Sequence, residues 1–386
     1  MVMPFHSPEV SDPDVMLARY PILRLLPAQL ATLGHTVTVL VHAATDAQRE
    51  QEHVRYEFIR PSHPIVKFGI LMHRWKPRYG AAYYQPAARL SRRLRALNPD
   101  VVHFFGLTMD IQLAIISRVT VRLETPLVVH FHGGVPAESR RLRSLQRHNI
   151  KRLSRVLFTT EAQAEMWLSG SLGLHSHQVA LVLETSSPFH GLDRELARRK
   201  TGMGGEPVYL SAGRLHPVKD PLTMVAGFGR IRESQPGARL YLYYLSDEML
   251  AEVQAFLETQ PELQDAVELR GRAPLEEMEA VYSSADFLLQ ASLREWSGLA
   301  VLEAMSCGCI PILSNIPAFA TMTSGGQFGR LFEPGDSEGL ARAALAISVQ
   351  ERTDLSAKIR LHFEESLSFR VLARDVERVY LDVTNR

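Results

Sequence analysis

The sequence predicts an α/β protein made of two tandem doubly wound domains facing across a cleft, on three observations. Short β-branched and aliphatic runs alternate with longer helical patterns, as in parallel sheets with crossover helices. At 386 residues the chain exceeds the size at which a single core stops growing. A polar, glycine-containing stretch at 185–206, "TSSPFHGLDRELARRKTGMGGE", divides the alternation into two series.

In the first series the expected strands are "VTVLVHA" (Val37 to Ala43), "VVHFFG" (Val101 to Gly106), "LVVHFHG" (Leu127 to Gly133), "VLFTT" (Val156 to Thr160) and "VALVLE" (Val179 to Glu184), after a very short "VMPF" near the N-terminus. The second series runs "VYLSAGRL" (Val208 to Leu215), "RLYLYYLS" (Arg239 to Ser246), "AVELRGR" (Ala266 to Arg272), "DFLLQAS" (Asp286 to Ser292) and "IPILSN" (Ile310 to Asn315). Their nearly continuous apolar character fits strands covered on both faces. The expected domains are 1–190 and 207–365, joined by a linker at 191–206. Residues 366–386 read as a C-terminal helix, a candidate for crossing back to the first domain.

With 46% hydrophobic and 22% charged residues, the chain has the composition of a globular protein with sizeable cores. No run approaches the roughly 20 apolar residues a membrane span needs, and the N-terminus lacks a secretory pattern, so a cytoplasmic location is the expectation. Cys307 and Cys309 are too close in sequence for a disulfide framework or a four-ligand zinc site and read as core residues at a helix end. Charge is uneven. Residues 1–200 hold 26 Lys and Arg against 16 Asp and Glu, whereas residues 201–386 hold 17 against 26. A basic half suits an acidic partner domain, an anionic acceptor or an anionic membrane surface.

Two stretches of the second domain carry chemistry. In "SAGRLHPVKDP" a strand ends at Ala212 and Gly213 and delivers Arg214 and Lys219 ahead of a helix starting near Pro221, with Asp220 as its cap. Two cations at a strand's carboxyl end suit a diphosphate; surface residues pairing with acids are the plainer reading, and the stronger one for these two taken alone. In "SLREWSGLAVLEAMSCGCIPILSN" a loop leads into a helix closed by Gly308, which puts Ser297 and Gly298 at a helix N-terminus that favours an anion. Glu295 precedes that helix and Glu303 lies on its second turn, where a buried carboxylate demands a partner. Sugar hydroxyls are one candidate. A salt bridge to arginine for Glu303, and helix N-terminal charge stabilisation for Glu295, are the plainer ones.

These residues, with "YSSADFLLQAS" and "GRLFEPGD", resemble the retaining glycosyltransferases of the GT-B group whose signature is Glu, seven residues, then Glu, family 4 of the sequence classification. The resemblance covers nearly all of the second domain and implies two Rossmann-like domains, a nucleotide-diphosphate sugar as donor and a hexosyltransferase-type activity. It implies that Arg214 and Lys219 hold the diphosphate and stabilise it as leaving group, that Glu303 meets the ribose hydroxyls, and that Glu295 contacts the transferred sugar. The amides of Gly298, Leu299 and Ala300 would lie near phosphate and sugar, with Gly213 and Ser297 completing the donor contacts. Gly271, Arg272 and Ala273 match the region lining the base. In the first domain His132 of "VVHFHGG" matches a strand-end histidine near the sugar's reacting face, while His130 reads as a satisfied core histidine.

The sequence departs from the family pattern at both ends of the first domain. No glycine precedes Gly34, so the usual glycine pair near the donor phosphates is absent, and Ser11, Asp12 and Asp14 stand there as candidate hydroxyl partners. The usual "NG" turn before the linker is replaced by "LETSSPFHG". The resemblance implies attack on the face the leaving group departs from, with no covalent nucleophile and no metal. No DxD ends an expected strand and no His or Cys cluster has ligand spacing, so no cofactor is expected. A catalytically silent protein binding a nucleotide sugar or glycan as a regulatory subunit is the alternative. A nicotinamide enzyme lacks its G-x-G-x-x-G. For the unknown acceptor, a small molecule, glycan or lipid-linked compound, the basic segments Val66 to Tyr84 and Glu138 to Arg155 suggest an anionic compound or peripheral attachment to the inner membrane face. No nucleic-acid motif accompanies them, and no nucleic acid is expected.

Overall fold

The computed structural model describes residues 1–4, 12–61, 87–169 and 171–385. The segment Val66 to Tyr84 and Ser11 lie outside them. The chain divides into two compact units, one of Met1–Thr185 with Phe369–Arg386 and one of Ser186–Ser368.

The first unit is built on an eight-stranded sheet of β1 (Val2–Met3), β2 (Val37–His42), β3 (Ala47–Gln51), β4 (Val54–Ile59), β5 (Val102–Phe105), β6 (Leu127–His130), β7 (Arg155–Phe158) and β8 (Val179–Leu181). Its order is β3-β4-β2-β1-β5-β6-β7-β8. Every neighbouring pair is parallel except β3 with β4. The β3–β4 hairpin has no counterpart among the expected strands. "AQREQ" is a polar edge strand facing solvent, so it lacks the apolar run that marks a buried one. Its turn places Glu52 and His53 at φ of 52° and 61°, in the left-handed region used by tight hairpins.

The helix Phe369–Thr384 belongs to this first unit. It buries Leu372, Val376 and Tyr380 in the same cluster as Leu23, Leu26 and Leu30 of the helix Pro21–Thr32. The Tyr380 hydroxyl meets Nδ1 of buried His103 at 2.7 Å. Asp12 accepts hydrogen bonds from the amides of Asp14 and Val15 and so caps the helix Pro13–Arg19, while Asp14 pairs with Arg49. Both acids considered above as hydroxyl partners are therefore engaged in local structure.

The second unit carries β9 (Val208–Gly213), β10 (Arg239–Tyr244), β11 (Val267–Gly271), β12 (Phe287–Gln290), β13 (Ile310–Ser314) and β14 (Arg330–Phe332), all parallel, in the order β11-β10-β9-β12-β13-β14. Three-residue β14 escapes a pattern search by its length. Residues 191–206, read above as linker, contain the helix Arg194–Thr201 and belong to this unit. Arg194 and Arg198, one turn apart, grip the two oxygens of buried Asp286 at 3.0 and 2.8 Å, and that carboxylate also accepts the Val208 amide. The charges that made the segment look like a solvated linker thus dock it on its own sheet. Cys307 and Cys309 are both buried and free, and burial pushes the Cys307 thiol up to about 12, which leaves it unreactive.

Candidate active site

In the second sheet the chain order reverses at β9, which has β10 on one side and β12 on the other. The β9–β12 pairing covers only Tyr209 with Phe287 and Leu210 with Leu288, so the two strands part toward their carboxyl ends. Crevices of this kind hold the ligands of doubly wound sheets. Buried Gln290 bridges the gap, its side-chain amide donating to Ala212 O at 2.7 Å. The pocket above it is lined by Gly213, Arg214, Lys219, Tyr243, Gln290 and Ala291, among others.

Lys219 closes a single 3-10 turn, Pro217–Lys219, and Asp220 then caps the helix Pro221–Ser234 with Pro221 at its first position, as expected. Its ammonium donates to Glu295 Oε1, which also accepts the Ser292 hydroxyl at 2.8 Å. Ser292 is itself fixed: its carbonyl accepts Ser314 Oγ at 2.5 Å, and the next amide, of Leu293, donates to Val218 O at 2.8 Å. The loops after β9 and β12 and the end of β13 are therefore tied together around the Lys219–Glu295 pair. The Glu295 side chain is mostly buried and its charge is met by lysine. Arg214 is exposed at the pocket rim.

The helix Leu299–Ser306 starts at Gly298, whose φ of 57° is left-handed and whose cap has no side-chain hydrogen bond. Gly298 O accepts from Val301 and Leu302. The first amides, of Leu299 and Ala300, belong to the free end of the helix. A Cβ on Gly298 would stand 3.1 Å from Met322 Cε and 3.3 Å from Phe319 Cε1, so the backbone approaches its neighbours as only glycine allows. Ser297 is half-buried just before it.

Among the described residues, no arginine pairs with Glu303. Its Oε2 accepts the hydroxyl of buried Tyr282 at 2.7 Å. Burial pushes its carboxyl up to about 7 although that hydrogen bond pulls the other way, and the Tyr282 phenol is raised well above its usual value. Gly271 ends the edge strand β11 at φ 66°, and exposed Arg272 follows it. They do not line the pocket that holds Lys219.

In the first unit His132 follows β6 and its Nδ1 lies 3.0 Å from Glu184 Oε1. The Glu184 amide donates to Thr159 Oγ1 at 3.1 Å, which fixes the carboxylate's backbone. His130 is fully buried and donates through Nε2 to Leu183 O at 3.0 Å; burial holds its pKa well below the ordinary value, so it is a neutral core histidine. Ser292, Gln290 and Glu184 were not singled out in the sequence. All three stand at the ends of expected strands, where side chains at a sheet's carboxyl edge gather.

A family model described as "Glycosyl transferases group 1" matches residues 206–348, and one described as "Glycosyltransferase Family 4" matches residues 23–182. Among curated relatives, the GDP-mannose:cellobiosyl-diphosphopolyprenol alpha-mannosyltransferase of Xanthomonas oryzae pv. oryzae is 33% identical over 96 residues, 25% of each chain. Mannosylfructose-phosphate synthase of Agrobacterium fabrum is 26% identical over 195 residues, 48% of this chain and 43% of the relative. The matched stretches thus span a quarter to under half of those relatives. Among solved structures, sucrose-phosphate synthase from Thermosynechococcus elongatus superposes with a TM-score of 0.66 at 19% identity, covering 95% of this chain and 93% of the other. Anabaena HepE in complex with UDP and glucose gives 0.65 at 16%, covering 92% and 94%. At such identities the structural likeness bears on the fold, which is that of the GT-B enzymes. With one family description matching in each of its two units, the chain belongs to glycosyltransferase family 4.

Proposed function

We propose that the protein is a metal-independent, retaining glycosyltransferase that moves a hexosyl group from a nucleotide-diphosphate sugar to an acceptor. The observation that carries this is the ion pair of Lys219, which lines the pocket at the β9–β12 switch point, with Glu295, which stands shortly before the free end of the helix Leu299–Ser306. On this reading the diphosphate lies between Gly213, Arg214, Lys219 and the amides of Gly298, Leu299 and Ala300, with Ser297 beside them. Those cations and dipoles stabilise the charge that grows on the leaving phosphate. Glu295, held by Lys219 and Ser292 in the free protein, turns to the sugar hydroxyls, and Glu303 to the ribose. Gly271 and Arg272 would flank the base. The acceptor hydroxyl then attacks from the side the phosphate leaves, and the phosphate takes its proton.

The acceptor side rests on the basic first half of the sequence. The relatives' names mention a diphosphopolyprenol, a sugar phosphate and, in D-inositol 3-phosphate glycosyltransferase of Nocardia farcinica, an inositol phosphate. We infer an acceptor that carries phosphate, free or lipid-linked, and a cytoplasmic enzyme that associates peripherally with an anionic membrane. Among the described residues, no helix is long and apolar enough to cross a membrane. The test is turnover of UDP-, GDP-, ADP- and dTDP-sugars with phosphorylated acceptors, followed by NMR of the new anomeric proton. Retention of the donor's anomeric configuration is expected. Inversion, or no turnover of any donor by folded protein, would overturn the reading.

A further inference from the structure

Along a parallel strand the carbonyls point alternately to the neighbour on either side. On β9 the sides are fixed by two bonds: Val208 O takes the Asp286 amide at 2.9 Å, toward β12, and Gly213 O takes the Leu245 amide at 2.9 Å, on the side of β10. Ala212, four residues beyond Val208, therefore aims its carbonyl at β12. The β9–β12 pairing has ended by then, its last partners being Leu210 and Leu288. At this place Gln290, the last residue of β12 and itself buried, donates its side-chain amide to Ala212 O at 2.7 Å. A buried carbonyl without a donor is costly, which accounts for a polar side chain in an otherwise apolar strand.

The bond also joins the two halves of the site. Gln290 and Ala212 line the same pocket as Lys219. Two residues beyond Ala212 stands Arg214 on the pocket rim, and two beyond Gln290 stands Ser292, whose hydroxyl holds Glu295. In the free protein the Lys219–Glu295 pair ties these loops as well, but on the donor reading given above that tie opens when Glu295 turns to the sugar. The Gln290–Ala212 bond uses no group that the donor takes, so it persists. We propose that Gln290 is a positioning residue of the donor site, holding Arg214 and Lys219 at the spacing from the β12 loop that a diphosphate requires, and that it must do so as a neutral donor. An ionised carboxylate in its place would lose the bond and repel the anion, and misplaced cations lose much of their effect on a leaving phosphate. The inference rests on the donor reading and adds to it a residue that touches no reacting atom.

The experiment is titration calorimetry of UDP, GDP, ADP and dTDP into wild type, Gln290→Met and Gln290→Glu, from about pH 8 to about pH 5, with urea unfolding in the same buffers. Methionine matches glutamine in length but cannot donate. Glutamate keeps the shape, and once protonated it can donate to Ala212 O again. Gln290→Met should bind the preferred diphosphate about tenfold more weakly than wild type at every pH. Gln290→Glu should lose at least about tenfold at pH 8, and its deficit against wild type should shrink as pH falls. Comparison with wild type at each pH cancels the titration of the ligand. Should Gln290→Met not fold, the pH series of Gln290→Glu decides alone. Variants that bind like wild type, a Gln290→Glu deficit that does not shrink with falling pH, or losses that merely follow the unfolded fraction would each overturn the proposal. If Lys219→Met loses binding while the Gln290 variants keep it, this inference alone falls; wild type that binds none of the four overturns the donor reading and this inference together.

Discussion

Glu303 is a carboxyl held against its ordinary chemistry. Burial lifts it from 4.5 to about 7, with the Tyr282 hydroxyl only partly offsetting the lift. Between those values the folded protein binds a proton that the unfolded chain has released, so its contribution to stability is complete below about pH 4.5 and is lost as pH rises through about 7. Asp110 in the first unit, pushed up to about 7 by burial, has the same sign. Glu303→Gln should therefore melt higher than wild type above pH 7 and converge with it near pH 4.5, in melts across that range. The same variant loses a charged acceptor for ribose hydroxyls, so donor binding should weaken about tenfold or more. A variant that melts alike at both pH values would mean that Glu303 is ionised and well solvated. The two glutamates were legible in the sequence because carboxylates inside an apolar run demand a reason. Their partners were not: Lys219 lies 76 residues from Glu295 and Tyr282 lies 21 from Glu303, and only the packing of strands brings them together.

At the scale of elements, the site depends on where helices and strands stop. The helix Leu299–Ser306 can begin where it does because Gly298 takes a left-handed φ against Phe319 and Met322. Gly298→Ala should cost about 1–2 kcal/mol from the backbone alone, read by urea unfolding, and should weaken binding of nucleoside diphosphates by shifting the free amides. Unchanged stability would show that the turn adapts. Buried strands such as β2, β9 and β13 were legible because both faces are covered and the sequence is apolar throughout. β3 was not, because an exposed edge strand has no hydrophobic signature, and β14 was too short to form one. The helix Arg194–Thr201 was hidden for a related reason. Its arginines looked like solvent-facing charge until Asp286, some 90 residues on, was found beneath them.

At the scale of the molecule, each unit has its own sheet and core, and the last helix completes the first of them. Phe369, Leu372, Val376 and Val383 are buried there, each such burial being worth about 1.5–3 kcal/mol. That loss is comparable to the whole margin of about 5–15 kcal/mol by which domains are stable. Ending the chain at Ser368 should therefore abolish the cooperative melting of the first unit while the second unit's heat-absorption peak persists in calorimetry. Loss of both peaks, or of neither, would contradict that division. The central claim concerns the second unit: the crevice where β9 and β12 part is a diphosphate site built on Lys219. Titration calorimetry of UDP, GDP, ADP and dTDP into wild type and Lys219→Met tests it most directly. At least one diphosphate is expected to bind wild type, and to bind Lys219→Met at least about tenfold more weakly, the loss of one charge-assisted contact. Binding of equal strength to both proteins, or no binding of any of the four to folded wild type, would contradict it.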